Sequence, residues 1–179
     1  MLARRAQPVP ARPVLVRSAM ALTDTDLAHL RRALALAAEA LAAGDEPFGS
    51  VLVSGAGEVR AEARNEAGGG DHTRHPEFAL ARWAAAHLTP EERARATVCT
   101  SGEHCPMCAA AHGWTGLGRI VHAASAAQLA GWLAEWGLPP APVAALPVTA
   151  VVPGALVEGP VPALTEEIRA LHHRARVRP

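Results

Sequence analysis

The sequence predicts a layered α/β domain built on a mixed five-stranded sheet. Short apolar, β-branched segments interleave with amphipathic helical ones in the order α-β-β-α-β-α-β-α-β-α, which favours that class over a helical bundle or a β-sandwich. The first two strands are joined by a Gly-Ala-Gly turn and read as an antiparallel hairpin. Strands four and five are separated by a helix long enough for a crossover, so they are expected to be parallel.

The first 19 residues stand apart from the rest. They hold four Arg, three Pro and no acidic residue, and their longest apolar run, 14–16, is far below the ~7–15 residues of a secretory core. We expect 1–19 to be a disordered or non-native extension and 20–179 to form a single domain. The first helix is N-capped by Thr23 or Asp24 and carries Leu27, Leu30, Leu34, Ala37, Ala38 and Leu41 at helical spacing until Gly44 ends it. The hairpin follows over PFGSVLVSGAGEVRAEARN, and a Gly-rich loop leads to a second helix, HPEFALARWAAAHL. Residues 97–101 (TVCTS) form a third strand, CPMCAAAHGW a third helix and RIVHAAS a fourth strand. SAAQLAGWLAEWG is a fourth helix stopped by Gly137 and two prolines. The β-branched run 148–152 is expected as the fifth strand, and PALTEEIRALHHRARVR as the last helix.

Composition excludes several classes. The chain has 179 residues, half of them apolar, which suits one domain of ordinary size. Its 17 cations, all Arg, balance 17 Asp and Glu, so the excess of a nucleic-acid-coating protein is absent and an anionic-membrane partner is disfavoured. No apolar run approaches the ~20 residues of a membrane-spanning helix. Three cysteines are too few and too sparse for a disulfide framework and point to a reducing, cytoplasmic compartment.

The chemistry sits at the starts of two helices. His75-Pro76-Glu77 opens the second, and Cys105-Pro106-Met107-Cys108 opens the third. Cys105 and Cys108 are one helical turn apart, so both sulfurs face one side and can grip one ion. Each Pro falls at the first helical position, where its missing N–H costs nothing. Helix N-termini favour thiolate over thiol. Two thiolates and one imidazole make three protein ligands and leave a fourth tetrahedral position for water, the pattern of catalytic rather than structural zinc. A lone C-x-x-C or H-x-E is weak evidence; the pair, each in a strand-to-helix context, is strong.

The paired motifs match the H-x-E…C-x-x-C pattern of zinc base deaminases. Over about 45–124, through DEPFGSVLV, RNEAGGGDHTRHPE and TSGEHCPMCAAAHGW, the chain resembles the cytidine/cytosine deaminase-like superfamily. Within it, the resemblance is closest to the branch of guanine deaminases, cytosine deaminases and tRNA adenosine deaminases. It implies a three-layer α/β/α arrangement and one Zn²⁺ held by His75, Cys105 and Cys108. It also implies that Glu77, not a ligand, carries protons from the attacking water to the ring nitrogen and the departing amine. Two positions depart from the family pattern: Pro76 replaces an Ala and His104 replaces a Pro. Both touch the expected pocket wall, so substrate identity is affected more than reaction type.

Substrate contacts follow from the same resemblance. Asn65, the only Asn in the chain, matches a position that hydrogen-bonds the base; its bland role is a turn residue. Trp114 matches an aromatic position that faces the ligand, with core packing the alternative. Phe48 and Pro76 are candidate wall residues, with plain core packing the alternative for Phe48. His104 is either a substrate contact or a support beside the metal. Cys99 is expected as a small buried hydrophobe, His72 has no metal role, and Arg174, Arg176 and Arg178 are expected as a solvated helix end. Trp132 and Trp136, four residues apart on the fourth helix, are expected in the core, with a subunit surface the alternative. The expected activity is hydrolytic deamination of a free nucleobase or aminated triazine, with a nucleoside or tRNA adenosine as the alternative substrate. A non-catalytic zinc protein is the alternative of another class, and retention of Glu77 argues against it. The resemblance further implies a homodimer.

Overall fold

A computed structural model describes residues 22–177; the extension at 1–19 and Arg178 lie outside them. Helix α1 (Asp24–Ala42) begins with a capping box in which Thr23 and Asp26 satisfy each other's backbone N–H groups. It lies against the start of strand β1 (Gly49–Val53) so closely that a Cβ on Gly49 would sit 2.4 Å from the Ala33 carbonyl oxygen and 2.5 Å from Leu36 Cβ. Only glycine fits that seat.

The sheet has the order β2-β1-β3-β4-β5, and its members beyond β1 are β2 (Val59–Arg64), β3 (Thr97–Gly102), β4 (Arg119–Ala124) and β5 (Leu156–Glu158). Strand β1 runs antiparallel to both neighbours, while β3, β4 and β5 are mutually parallel. The expected mixed sheet and the parallel fourth and fifth strands are therefore present. Strands β1, β3 and β4 are buried on both faces, as central strands covered by helices on each side must be.

Side-chain alternation divides the core into two layers. Val51, Val53, Cys99 and Val121 face α1, α5 (Ala126–Glu135) and α7 (Pro162–Arg176). Leu52, Val98 and Ile120 face α2 (Pro76–His87), α4 (Pro106–Thr115) and α6 (Val148–Val151). The result is the three-layer α/β/α architecture. Trp132 lies in the first layer with Trp136 packed against it, and buried Cys99 has its thiol pushed up to about 12 by desolvation.

Two elements differ from expectation. The expected strand at 148–152 is instead the short helix α6, capped by Val152, and the fifth strand is the three-residue β5. The reason is tertiary: Glu103 Oε1 accepts the Val148 N–H at 2.9 Å and Oε2 accepts the Ala126 N–H at 2.9 Å, so one carboxylate anchors the starts of α6 and α5. Val148 is then buried with Ala109 and Ile120. The second difference is an additional helix, α3 (Pro90–Arg95), begun by a capping box of Thr89 and Glu92.

Candidate active site

Helices α2 and α4 deliver the two motifs. His75 is the N-cap of α2 and Cys105 the N-cap of α4, both in extended backbone conformation, with Pro76 and Pro106 at the first helical positions. Strand β3 ends at Gly102, and three residues later the chain turns into α4, which places Cys105 and Cys108 beside His75.

The three ligand atoms form a nearly equilateral triangle. Cys105 Sγ, Cys108 Sγ and His75 Nδ1 are each 3.6 Å from the other two. Tetrahedral zinc with Zn–S of about 2.3 Å and Zn–N of about 2.0–2.1 Å requires separations of roughly 3.8 Å between sulfurs and roughly 3.5 Å between sulfur and nitrogen. The donor set fits zinc in chemistry and in spacing, and it is the metal-binding group found among the described residues. Hydrogen bonds from Cys108 and His75 hold the Cys105 thiol down to about 4, while the bond to Cys105, followed by burial, pushes Cys108 up. His75 is raised by its bond to Cys105. Two adjacent thiolates repel, so ionising both calls for a cation between them.

Glu77 projects from the first turn of α2 and is only 5% exposed. Burial pushes its carboxyl above the ordinary carboxylate range. Its Oε1 accepts the Thr100 hydroxyl at 2.8 Å, and Thr100 in turn accepts the Ser50 hydroxyl at 2.8 Å. Ser50 and Thr100 are direct partners on the β1–β3 ladder. Neither hydroxyl was identifiable from the sequence. Polar residues alternate in many strands, and only the pairing of β1 with β3 shows that these two meet the carboxylate.

Around this centre, Phe48 immediately precedes β1, with its ring nearly parallel to that of His75 (16°, centroids 6.5 Å apart). Asn65 ends the hairpin, donates its backbone N–H to the Phe48 carbonyl at 2.9 Å, and keeps a buried, unpartnered Oδ1. Pro76 is buried at the head of α2. His104 is 1% exposed, packs edge-on against His112 with centroids 5.3 Å apart, and has no hydrogen-bond partner at either ring nitrogen. Burial holds it neutral. Trp114 does not join the group. It is 88% exposed and lies roughly 13 Å along α4 from Cys105, at 1.5 Å per residue, so it is not a core residue. His72 is exposed and takes no part in the metal triangle.

Known proteins place these features in a family. Residues 23–124 match the family model of the cytidine and deoxycytidylate deaminase zinc-binding region. A probable cytosine deaminase from Schizosaccharomyces pombe is 34% identical over 106 residues, covering 58% of this chain and 63% of that protein. The chain thus spans a little under two thirds of that curated relative. The solved guanine deaminase of Bacillus subtilis is 30% identical with a TM-score of 0.52, over 68% of this chain and 82% of that one. A structure from work on A-to-I editing by tRNA:A34 deaminases is 32% identical with a TM-score of 0.50, over 55% of this chain and 75% of that one.

Proposed function

The chain belongs to the cytidine and deoxycytidylate deaminase zinc-binding family, and from that premise we propose that it hydrolytically deaminates a free nucleobase or a closely related aminated heterocycle. The observation that carries this reading is a buried, non-ligating carboxylate, Glu77, two residues from one ligand of a three-ligand zinc site. A structural zinc site uses four protein ligands and has no need of such a group.

His75, Cys105 and Cys108 would hold the zinc, which when bound would supply a water acidified toward neutral pH. Glu77 would take a proton from the attacking water and deliver it to the ring nitrogen next to the amino-bearing carbon. The oxygen bonds to that carbon. Glu77 then moves the second proton to the amine, the C–N bond breaks, and ammonia leaves behind a carbonyl. The Thr100 hydroxyl keeps Glu77 oriented through both transfers. The raised pKa of Glu77 suits a carboxyl that must give protons as well as take them. Asn65 offers a buried acceptor to a ring N–H or amino group, and Phe48 offers an aromatic wall; Pro76 sits between His75 and Glu77, and His104, packed on His112, is proposed to support the loop that carries Cys105.

A free base is favoured over a polymer because the chain is neutral overall, whereas tRNA binding draws on many phosphate contacts. The likeness to tRNA:A34 deaminases supports a second reading, tRNA adenosine deamination. A side-by-side ammonia assay on guanine, cytosine and aminated triazines, their nucleosides where these exist, and a tRNA anticodon stem separates the two. We expect free bases to turn over fastest and the stem to be inert. Faster deamination of the stem than of every free base overturns the proposal in favour of the second reading.

The working unit is proposed to be a homodimer in a reducing, cytoplasmic compartment. Trp114 presents a large apolar ring to solvent; its neighbour Gly113 packs against Val152 beside α6, and exposed Val143 and Leu146 lie in the segment leading into that helix. A subunit contact would cover this flank. Light scattering at micromolar concentration should give twice the chain mass, and Trp114→Glu should give a monomer. A wild-type monomer removes the idea. No helix among the described residues is long and apolar enough to cross a membrane.

A further inference from the structure

The last turn of α7 reaches the wall of the zinc site through a closed loop of contacts that the catalytic reading does not use. His172 is 1% exposed and meets the Phe48 ring edge-on, with centroids 4.8 Å apart. Its Nδ1 lies 2.6 Å from Arg176 Nη1. Arg176, expected from sequence as part of a solvated tip, has a side chain only 14% exposed and pairs with Glu46 Oε2 at 2.9 Å. Glu46 and Phe48 are joined in a tight turn, the Phe48 N–H donating to the Glu46 carbonyl at 2.8 Å. The chain of contacts therefore runs Glu46, Arg176, His172, Phe48 and back to Glu46. On its other sides the Phe48 ring faces His75, and its edge would be 3.1 Å from a Cβ on Gly102.

A guanidinium only donates. Nδ1 of His172 must therefore present a lone pair, and the proton of the neutral ring sits on Nε2. Burial and the adjacent Arg176 charge hold the ring neutral, at about 3. A ring locked in one tautomer and one orientation is a firm edge for Phe48 to rest on.

We propose that Glu46, Arg176 and His172 are positioning residues for substrate recognition, a brace from the C-terminal helix that fixes Phe48 beside the zinc ligand His75. This rests on the deaminase reading above, since Phe48 serves there as the wall for a flat ring. The brace touches no proton-carrying group, so its loss weakens binding of the ring while leaving the chemical step intact.

The test uses the full-length, zinc-loaded protein with Arg176→Met and, as a milder cut at the exposed end, Glu46→Ala. Uniform loss of ring binding raises KM with kcat unchanged. For the base that wild type deaminates best, we expect Arg176→Met to raise KM by about tenfold with kcat within about twofold, and Glu46→Ala to shift KM the same way by a smaller factor. Glu46→Gln, which keeps an acceptor for Arg176, should restore most of the wild-type KM. Nitrogen-15 NMR of histidine-labelled wild type should show His172 protonated at Nε2 and bare at Nδ1, and Arg176→Met should lose that pattern. Unchanged KM in both cut variants, or a fall in kcat at constant KM, overturns the proposal; so does a proton on Nδ1 of wild-type His172. Failure of wild type to release ammonia from any base would defeat the free-base reading instead, and the NMR pattern then decides the brace by itself.

Discussion

Glu77→Gln should lower kcat by about 10⁴-fold or more while zinc content stays near that of wild type. General acid–base groups typically contribute about 10²–10⁴-fold, and here one carboxylate serves two successive transfers, which places the loss at or beyond the upper end. Glutamine keeps the volume of the side chain and an oxygen to accept the Thr100 hydroxyl, now 2.8 Å from Oε1. What it cannot do is take a proton and release it. KM should change little, since the group acts mainly in the transition state. Steady-state ammonia release and elemental analysis on the same preparation measure both halves. Turnover near the wild-type rate in zinc-loaded Glu77→Gln would remove Glu77 from the mechanism.

Cys108→Ala should abolish activity by emptying the metal site. Cys108 is fully buried and forms one corner of the ligand triangle, and two remaining donors are too few for a tetrahedral site. Zinc bound to the folded state alone stabilises it, by about 4 kcal/mol when zinc is present at a thousandfold excess over its dissociation constant. For a domain of this size that corresponds to a fall in Tm of roughly 8–16 °C. Wild type stripped by a chelator should fall by a similar amount and recover on adding zinc, whereas Cys108→Ala should not respond to zinc. Protons compete for the same lone pairs, so acidifying wild type should release zinc as well. Full zinc in Cys108→Ala would show that the ligand set is wrong.

What was legible in the sequence and what was not divides along physical lines. The metal triangle was legible because its members sit at fixed offsets in two short motifs, and Pro at the first helical position announces each helix start. The antiparallel hairpin could be anticipated from its Gly-Ala-Gly turn and the parallel fourth and fifth strands from a crossover, but the order of the whole sheet could not. Residues 148–152 misled because V-T-A-V-V has high strand propensity, yet tertiary context decides short segments, and here Glu103 captures the backbone of Val148. The true fifth strand, only three residues long, carries too little pattern to see. Helix α3 did have a visible signal, the capping-box spacing of Thr89 and Glu92, which its shortness and charge obscured. Ser50, Thr100, His172 and Arg176 share a different reason. Each acts on a group far away in the chain, so its role exists only once the layers are assembled.

The tight seat of Gly49 on α1 has a consequence for alignment along β1. Side chains in a strand alternate faces, so sliding β1 by one residue against β3 would turn the Ser50 hydroxyl away from Thr100 and leave the buried carboxylate with one fewer neighbour. Any such slide must bring Phe48 or Ser50 to the place where Gly49 now sits, and a Cβ there would fall 2.4 Å from the Ala33 carbonyl oxygen. A slide of two residues restores the faces but still puts Pro47 or Val51 into the same space. The missing side chain thus works as an indexing notch: it admits one lengthwise setting of the strand, the setting in which serine, threonine and glutamate line up.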